Sequence, residues 1–327
     1  MRHSLALALC FVAAPALADV NAVLDTHILP GEAAFASATQ DLASAAADNC
    51  LPDALTPAWN TAFDAWMDIS HLRMGPQEQA TLSMAYWPDD RSSGRRTLAR
   101  LIADEDPMGT DVEAFAEVSA AARGLYALET MLYDPQFNDY APGSYSCTLV
   151  TVMTQDLADQ AQAVNAAWNQ KFAAELRNAG GTDNGVYLSP QEAERALFTQ
   201  LHGGIEFIAD QRLGRPMGTP DHPRPQRAET WRANRSMRNV ALSLEALHQM
   251  ATALAGQPLE AVDHAFDTAK YFAGTIADPA FQDITDPQAR LRLESLQGRV
   301  RTIGDVLIVD IGETMGIAPG FNSADGD

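Results

Sequence analysis

The chain is poor in cysteine, in lysine and in long apolar runs, and each shortage narrows the class of protein. Only three cysteines and two lysines occur among 327 residues. After the first 18 residues, no apolar run approaches the roughly 18 residues that a membrane-spanning helix needs. Acidic residues outnumber basic ones by 43 to 22, for a net charge of −21, which argues against a nucleic-acid partner. The same balance modestly favours cationic ligands such as metal ions.

The first 18 residues have the order of a secretory signal peptide: a short basic start, an apolar core and a small-residue cleavage site. We therefore expect a signal peptide at residues 1–18 and a soluble, exported mature protein. Cys50 and Cys147 are the only cysteines left after cleavage, and an even number in an oxidising compartment suggests a disulfide. Two free thiols or a soft-metal pair are the alternatives.

Apolar residues follow helical rather than alternating spacing in almost every ordered stretch, which predicts an all-α protein. The loop segment NAGGTDNGVYLSP divides the mature chain. We expect one four-helix-bundle-like half at residues 19–180 and a second at 181–327. A weak match between GLYALETMLYD and LHGGIEFIADQ, which aligns Glu129 with Glu206, suggests that the halves arose by internal duplication.

Several local signals predict where helices begin. Ser189, followed by proline and then by Glu192, has the pattern of a capped helix start. Thr110 and Glu113 have the spacing of a capping box, which predicts that the helix carrying Glu129 opens there. Later helices are expected at about 226–255, 258–277 and 286–311.

The acid in the segment RGLYALETMLYD is out of place in a simple helix. Leu125, Leu128 and Leu132 form an apolar stripe at helical spacing, and Glu129 lies within it. Because carboxylates are rarely buried without a partner, we expect either a wet gap or a functional role for this charge.

His202 and Glu206 are a second candidate pair. They are four residues apart, so on a helix their side chains point the same way and could provide two arms of a metal site. The commoner interpretation of an isolated pair of this kind is a surface or interface pair. With Glu129, they are the only metal ligands that the sequence suggests.

The remaining candidates are arginines, aromatics and acids in four short segments. YWPDDRSSGRR contributes Trp87, Asp89 and Arg91, and Arg73 ends the helix before a Gly-Pro pair. The second half contributes two arginines, which could neutralise a buried carboxylate through charge-assisted hydrogen bonds, and one acid. These are Arg212, Glu229 and Arg235. The alternative interpretation of YWPDDRSSGRR is a turn that links two helices. The alternative for Arg73 is an arginine that stabilises the helix dipole.

Strong catalytic signatures are missing: the sequence has no G-x-S-x-G, P-loop, H-E-x-x-H or C-x-x-C motif. Instead, the segments RMGP, YWPDDRSSGRR, GLYALETMLYD, QRLGRPMG, AETWRANRSMRNV and the tail GFNSADGD together resemble the imelysin family, in its WPDKRG-containing periplasmic branch. The resemblance implies two helical bundles, a polar pocket between them and a link to bacterial iron acquisition. It also implies a metallopeptidase activity described for imelysin itself.

The family motif G-x-H-x-x-E falls on Gly124, Tyr126 and Glu129, so tyrosine replaces the histidine. A neutral tyrosine is a poor ligand for most divalent ions, although ferric iron accepts a phenolate. The sequence therefore favours a non-catalytic periplasmic protein that binds a metal ion, such as iron, or a small ligand between two bundles. Other periplasmic or membrane components of iron uptake are possible partners. A metallopeptidase is the alternative.

Overall fold

A computed structural model describes residues 19–317 of the chain. This range is helical, with one isolated β-bridge between Thr219 and His222 and no strand. The α-helices, in chain order, are α1 (Val20–Val23), α2 (Leu29–Asp48), α3 (Pro52–Ile69), α4 (Gln77–Met84), α5 (Ser93–Asp104), α6 (Val112–Phe115), α7 (Gly124–Tyr133), α8 (Tyr145–Ala167), α9 (Ala173–Arg177), α10 (Pro190–Phe207), α11 (Arg215–Met217), α12 (Ser236–Ala255), α13 (Glu260–Ala273) and α14 (Pro287–Asp310). The π-helical segments are Leu24–Ile28, Trp168–Phe172 and Ile208–Gly214, and the 3-10 segments are Pro107–Gly109, Ala120–Ala122, Pro225–Arg227 and Gly312–Met315. The all-α prediction is confirmed.

The predicted signal peptide at 1–18 and the acidic tail GFNSADGD both lie outside the described residues. Between residues 19 and 317, none of the helices combines the length and the hydrophobicity that crossing a bilayer requires.

In the first part of the chain, α2 packs between α3 and α8. Cys50, just after α2, and Cys147, in the first turn of α8, form the predicted disulfide, with their Cα atoms 5.3 Å apart. The bridge closes a loop of 97 positions. In the chain-entropy model, a loop of this size is worth about 4–5 kcal/mol of stability. The disulfide therefore fixes the edge of the three-helix layer.

In the second part, α12 packs against α10 and α13, and α14 packs against α10 and α13. The two parts join where α12 lies against α3 and α1. Apolar side chains from both parts, among them Trp59, Trp66, Phe198 and Phe266, belong to one continuous core. The loop between α9 and α10 falls where the boundary was expected. The assignment of domains and the internal duplication stay predictions.

Two predicted helix starts are confirmed by their caps. The Ser189 hydroxyl accepts a hydrogen bond from the Glu192 amide at 3.3 Å, at the start of α10. The Asp286 carboxylate accepts from the amides of Gln288 and Ala289, both at 2.9 Å, at the start of α14. Such caps satisfy backbone donors that have no partner inside the helix.

The predicted continuous helix from Thr110 through Glu129 is wrong. Asp111 caps the short α6, which ends at Phe115, and a new helix, α7, begins at Gly124. The interruption comes from a contact with a segment that is distant in sequence. Gly124 has a φ of +72°, and a Cβ atom there would lie 2.1 Å from the carbonyl oxygen of Met84. Only glycine allows this close approach in a left-handed conformation.

The helix predicted to open near residue 226 is also too long, since α12 begins only at Ser236. Residues 228–235 form a loop in which Thr230 and Asn234 have φ values of 48° and 57°. A β-branched residue rarely adopts this conformation. The loop is held by α12, because the Ser236 hydroxyl donates to the Glu229 carbonyl at 2.6 Å.

Candidate functional site

A polar pocket of about 280 Å³ opens between the two parts of the chain. One wall is the segment before α5 together with α7, and the other is α11 with the loop 226–232. Its lining is aromatic, basic and acidic: Tyr86, Trp87, Pro88, Asp89, Asp90, Ser92, Arg95, Ala121, Tyr126, Glu129, Arg215, Gln226, Arg227, Ala228, Thr230, Trp231 and Arg232.

Glu129 is the buried acid of this pocket. It lies on α7 and is 5% exposed. One carboxylate oxygen accepts a hydrogen bond from the Ala233 amide at 3.3 Å, and the positive charge of Arg232 acts on the carboxylate. Burial raises the pKa of Glu129 to about 7, while Arg232 and the loop amides oppose the shift. Near neutral pH this carboxyl can therefore both donate and accept a proton.

Aromatic side chains form the sides of the pocket. The Trp87 ring stacks near Tyr126, with ring centres 6.2 Å apart, and meets the edge of Phe207 at 5.9 Å. Trp87 precedes Pro88 through a cis peptide bond. On the other wall, the Arg232 guanidinium lies 4.6 Å from the centre of the Trp231 ring. These flat apolar faces can cover the carbon skeleton of a ligand while the polar groups orient it.

The pocket's arginines are partly occupied by acids of the protein. Asp134 pairs with Arg95 and, at 3.0 Å, with Arg232. Asp90 pairs with Arg215, whereas Arg227 lies 3.5 Å away from the same carboxylate and its side chain is 43% exposed. The rim near Arg227 is thus the part of the pocket best placed to receive an anionic group.

Asp89 and Arg91 have local roles. The Asp89 carboxylate accepts from the Gly94 amide at 2.8 Å, at the start of α5. Arg91 is exposed and does not line the pocket, and its carbonyl accepts from the Arg96 guanidinium. Asp89 lines the pocket, whereas Arg91 does not.

Behind the pocket lies a second buried acid, Glu229, which is 1% exposed. Its carboxylate accepts from Arg212 Nε at 2.7 Å, from Asn239 Nδ2 at 2.9 Å and from the Tyr126 hydroxyl. Arg212 also donates to the Ser243 hydroxyl at 2.8 Å. This Glu229–Arg212 network therefore satisfies its own charges. Tyr126 connects it to the pocket.

Two further predicted arginines lie away from the pocket. Arg235 is buried, donates to Asp64 at 2.7 Å and lies over the Phe63 ring at 4.4 Å. Arg73 donates to the carbonyl of Leu72 at 2.9 Å and lines a separate cavity of about 190 Å³. Arg235 joins the two parts of the chain, and Arg73 ends the turn after α3.

Of the three predicted metal ligands, His202 and Glu206 lie near each other, but Glu129 does not join them in a group that could hold a metal ion. His202 on α10 faces α14, where its Nε2 lies 3.3 Å from the point that a Cβ atom added to Gly304 would occupy. Its Nδ1 lies 3.7 Å from the Glu206 carboxylate. Glu129 instead faces the loop at Ala233. Within residues 19–317, no group of three or more His, Cys, Asp and Glu side chains is arranged to hold a metal ion. The i, i+4 spacing predicted that His202 and Glu206 share a face of their helix. It did not predict which neighbouring helix this face contacts.

The residues at the family motif also do not fit a metal. Burial raises the pKa of Tyr126 well above its usual value, and its hydroxyl proton is donated to Glu229. Glu229 in turn is neutralised by Arg212. Only Glu129 is left as a carboxylate facing the pocket from this motif, whereas a zinc site needs three or more protein ligands.

Sequence reasoning did not single out several lining residues: Tyr86, Arg95, Gln226, Arg227 and Trp231. Arg95 and Trp231 lie inside motifs that were recognised, YWPDDRSSGRR and AETWRANRS. The adjacent Trp-Arg pair was an available signal, because tryptophan beside arginine is typical of binding surfaces. Gln226 and Arg227 were assigned to a helix and therefore overlooked.

Comparison with known proteins agrees with this architecture. The model of the imelysin family matches residues 27–307. No curated protein matches the chain. The structure is similar to that of an imelysin-like protein from Psychrobacter arcticum 273-4, with a TM-score of 0.72 and 19% identity over 92% of this chain and 96% of that one. It is also similar to a putative iron-regulated protein A precursor from Parabacteroides distasonis ATCC 8503, with a TM-score of 0.66 and 13% identity over 87% of this chain and 93% of that one. At these identities the likeness shows the fold.

Proposed function

Since this chain belongs to the imelysin family, we propose that it is a periplasmic, non-catalytic binding protein of iron uptake. Its ligand is a small organic acid that bears hydroxyl groups, taken up in the pocket around Glu129. The observation that carries this proposal is Glu129 itself, a buried carboxyl that faces an open pocket and is held mainly by backbone amides.

The pocket's polar groups suggest this ligand class. Glu129, with a pKa of about 7, can exchange hydrogen bonds with a hydroxyl group. Arg227, exposed and only loosely paired with Asp90, can take a carboxylate. The aromatic rings of Trp87 and Trp231 provide apolar walls. The volume of about 280 Å³ lies just below the usual range for ligand pockets, about 300–1,000 Å³, which favours a small molecule.

The link to iron rests on the family and on chemistry. One protein of similar fold is described as a putative iron-regulated protein A precursor. Hydroxy acids supply the hard oxygen ligands that ferric iron prefers, so iron can enter as a chelate without protein ligands. The signal-like first 18 residues support export to the periplasm. Membrane or periplasmic uptake components would then receive the ligand.

Calorimetric titration of the purified chain with citrate, ferric citrate and Zn²⁺ tests the proposal. We expect citrate or its ferric chelate to bind, and Glu129→Gln to weaken that binding by about tenfold through the loss of a charged hydrogen bond. Glu32→Gln is the matched control. Glu32 is also buried, with a pKa raised to about 8, but it lies on α2 away from the pocket. Absence of binding, or equal effects of the two variants, would overturn the proposal. Tight Zn²⁺ binding lost in Glu129→Gln would favour a metal ligand instead.

A metallopeptidase is the second candidate. The observation in its favour is the same raised pKa, which suits a general base near neutral pH. It predicts cleavage of denatured casein that EDTA blocks and that Glu129→Gln abolishes. If no cleavage occurs with Zn²⁺, Mn²⁺ or Fe²⁺ added, this candidate is removed.

A further inference from the structure

Three side chains from three different elements converge at the junction of the two parts of the chain. His27 lies in the π-helical segment Leu24–Ile28, His71 in the turn after α3, and Met250 on α12. The Nε2 atoms of His27 and His71 are 3.3 Å apart. The Nε2 atom of His71 lies 3.1 Å from the sulfur of Met250. These atoms are outside the Glu129 pocket.

The two contacts of His71 Nε2 cannot both be hydrogen bonds that this atom donates. Burial lowers the pKa of His27 to about 4 and that of His71 well below its usual value, so both rings are neutral at pH 7. Each neutral ring carries a single N–H, on one nitrogen or the other. The two contacts of His71 Nε2 therefore share at most one donated proton from that atom. If that proton points to His27, the Met250 sulfur receives no hydrogen bond from His71.

A bound cation would satisfy all three atoms at once. Two nitrogens that are each about 2.0–2.1 Å from one ion, at a tetrahedral angle, lie about 3.3–3.4 Å apart. The observed separation of the two imidazole nitrogens is 3.3 Å. A sulfur on the same ion would need to lie a few tenths of an ångström farther from His71 than it does, on the order of 3.5 Å, which the flexible methionine side chain allows.

We propose that His27, His71 and Met250 form a binding site for a soft monovalent metal ion, Cu⁺. Thioether and imidazole ligands without carboxylates favour Cu⁺ over hard ions such as Mg²⁺, Ca²⁺ or ferric iron. The charged groups that act on His71 are Arg73 and Arg212, both of them basic. Such surroundings disfavour a divalent or trivalent ion more strongly than a monovalent one.

The surroundings also offer a route to the site. A cavity of about 190 Å³ reaches His71 and is lined as well by Arg73, Gln200 and Phe207. His71 is partly exposed, whereas His27 and Met250 are buried. The π-helical turn that carries His27 is a rare conformation that often marks functional sites.

Competition with bicinchoninate under reducing, anaerobic conditions tests the proposal. We expect the purified chain to remove one equivalent of Cu⁺ from the competitor. His71→Gln and Met250→Leu should each weaken this binding by more than about tenfold, since each removes a ligand. X-ray absorption of the Cu⁺ complex should show two nitrogen neighbours and one sulfur neighbour.

Two control variants make the same types of substitution at residues outside the site. His264→Gln removes an exposed histidine of α13, and Met153→Leu changes a buried methionine of α8. Both should bind Cu⁺ like the native chain, and thermal unfolding should show that the apo forms of all variants are folded. Because Met250→Leu nearly conserves volume, it should cost little stability.

The proposal is overturned if the native chain does not compete for Cu⁺, if folded Met250→Leu and His71→Gln bind as the native chain does, or if absorption shows no sulfur neighbour. These outcomes are independent of citrate binding at Glu129.

Discussion

The two buried glutamates of the central region, Glu129 and Glu229, have different surroundings. Glu229 is surrounded by side-chain donors from Arg212, Asn239 and Tyr126, and its charge is neutralised within the protein. Glu129 faces the pocket, and loop amides supply its hydrogen bonds. Burial alone does not therefore mark a functional acid. The difference lies in whether the protein itself satisfies the carboxylate, and only Glu129 keeps capacity for a ligand.

The largest expected effect follows from breaking the Glu229–Arg212 network. Glu229→Gln leaves the Arg212 guanidinium buried without its counter-charge. We expect a loss of about 3–5 kcal/mol in the free energy of unfolding, as is typical when one partner of a buried pair is removed. Urea unfolding at pH 7 measures it. A loss below about 1 kcal/mol would show that the network is not structural.

The next largest expected effect is the pH dependence of stability that Glu129 contributes. The pKa of Glu129 is raised from 4.5 to about 7, so the folded protein holds this proton more tightly than the unfolded chain does. The contribution of Glu129 to the free energy of unfolding should therefore be greatest below about pH 4.5 and decrease by up to about 3 kcal/mol as the pH rises through 7. Glu129→Gln removes this decrease, so the variant should gain stability over the native chain between pH 5 and 8. Parallel pH profiles of the two proteins would contradict the assignment.

A smaller effect tests the side chain that links the two regions. Tyr126→Phe removes the hydroxyl that donates to Glu229, and we expect it to cost about 2 kcal/mol of stability. Citrate affinity should change by less than about threefold, because the hydroxyl proton serves the network. Tyr133→Phe is the matched control. Its hydroxyl accepts from the neutral Asn60 amide at 2.9 Å, so about 1 kcal/mol is expected. Equal losses of stability in the two variants would contradict the role of the Tyr126 hydroxyl in the Glu229–Arg212 network.

The smallest effect on stability is expected at the pocket rim. The Asp90 side chain is 53% exposed and pairs with Arg215 and Arg227. Asp90→Asn should change the free energy of unfolding by less than about 1 kcal/mol, as for other exposed ion pairs. Because it releases both arginines, citrate should bind more tightly, by a factor of about two to five, and this gain should shrink at high salt. Weaker binding would show that Asp90 itself contacts the ligand.

Local patterns in the sequence were sufficient where local physics decides the structure. The all-α fold, the Cys50–Cys147 disulfide and the cap at Ser189 follow from periodicity, cysteine number and backbone capping, and the structure confirms them. Glu129 was recognisable because a carboxylate within an apolar stripe is unfavourable unless something requires it.

Contacts between distant segments were beyond these patterns. The break before Gly124 depends on its approach to the Met84 carbonyl, which is far away in sequence. The loop carrying Trp231 is held out of a helix by α12 through Ser236. His202 was grouped with Glu129 because both residue types bind metals, but helix spacing does not define which neighbouring helix a side chain faces.

The protonation of Glu129 tests the central claim most directly. Carbon-13 NMR of glutamate-labelled protein, with Glu129→Gln identifying the signal, would follow this carboxyl from pH 4 to 9. We predict a midpoint near 7 in the free protein, which moves when citrate is added, since the ligand contacts this group. A midpoint near 4.5 that citrate leaves unchanged would contradict the claim that Glu129 is the acid that binds the ligand in this pocket.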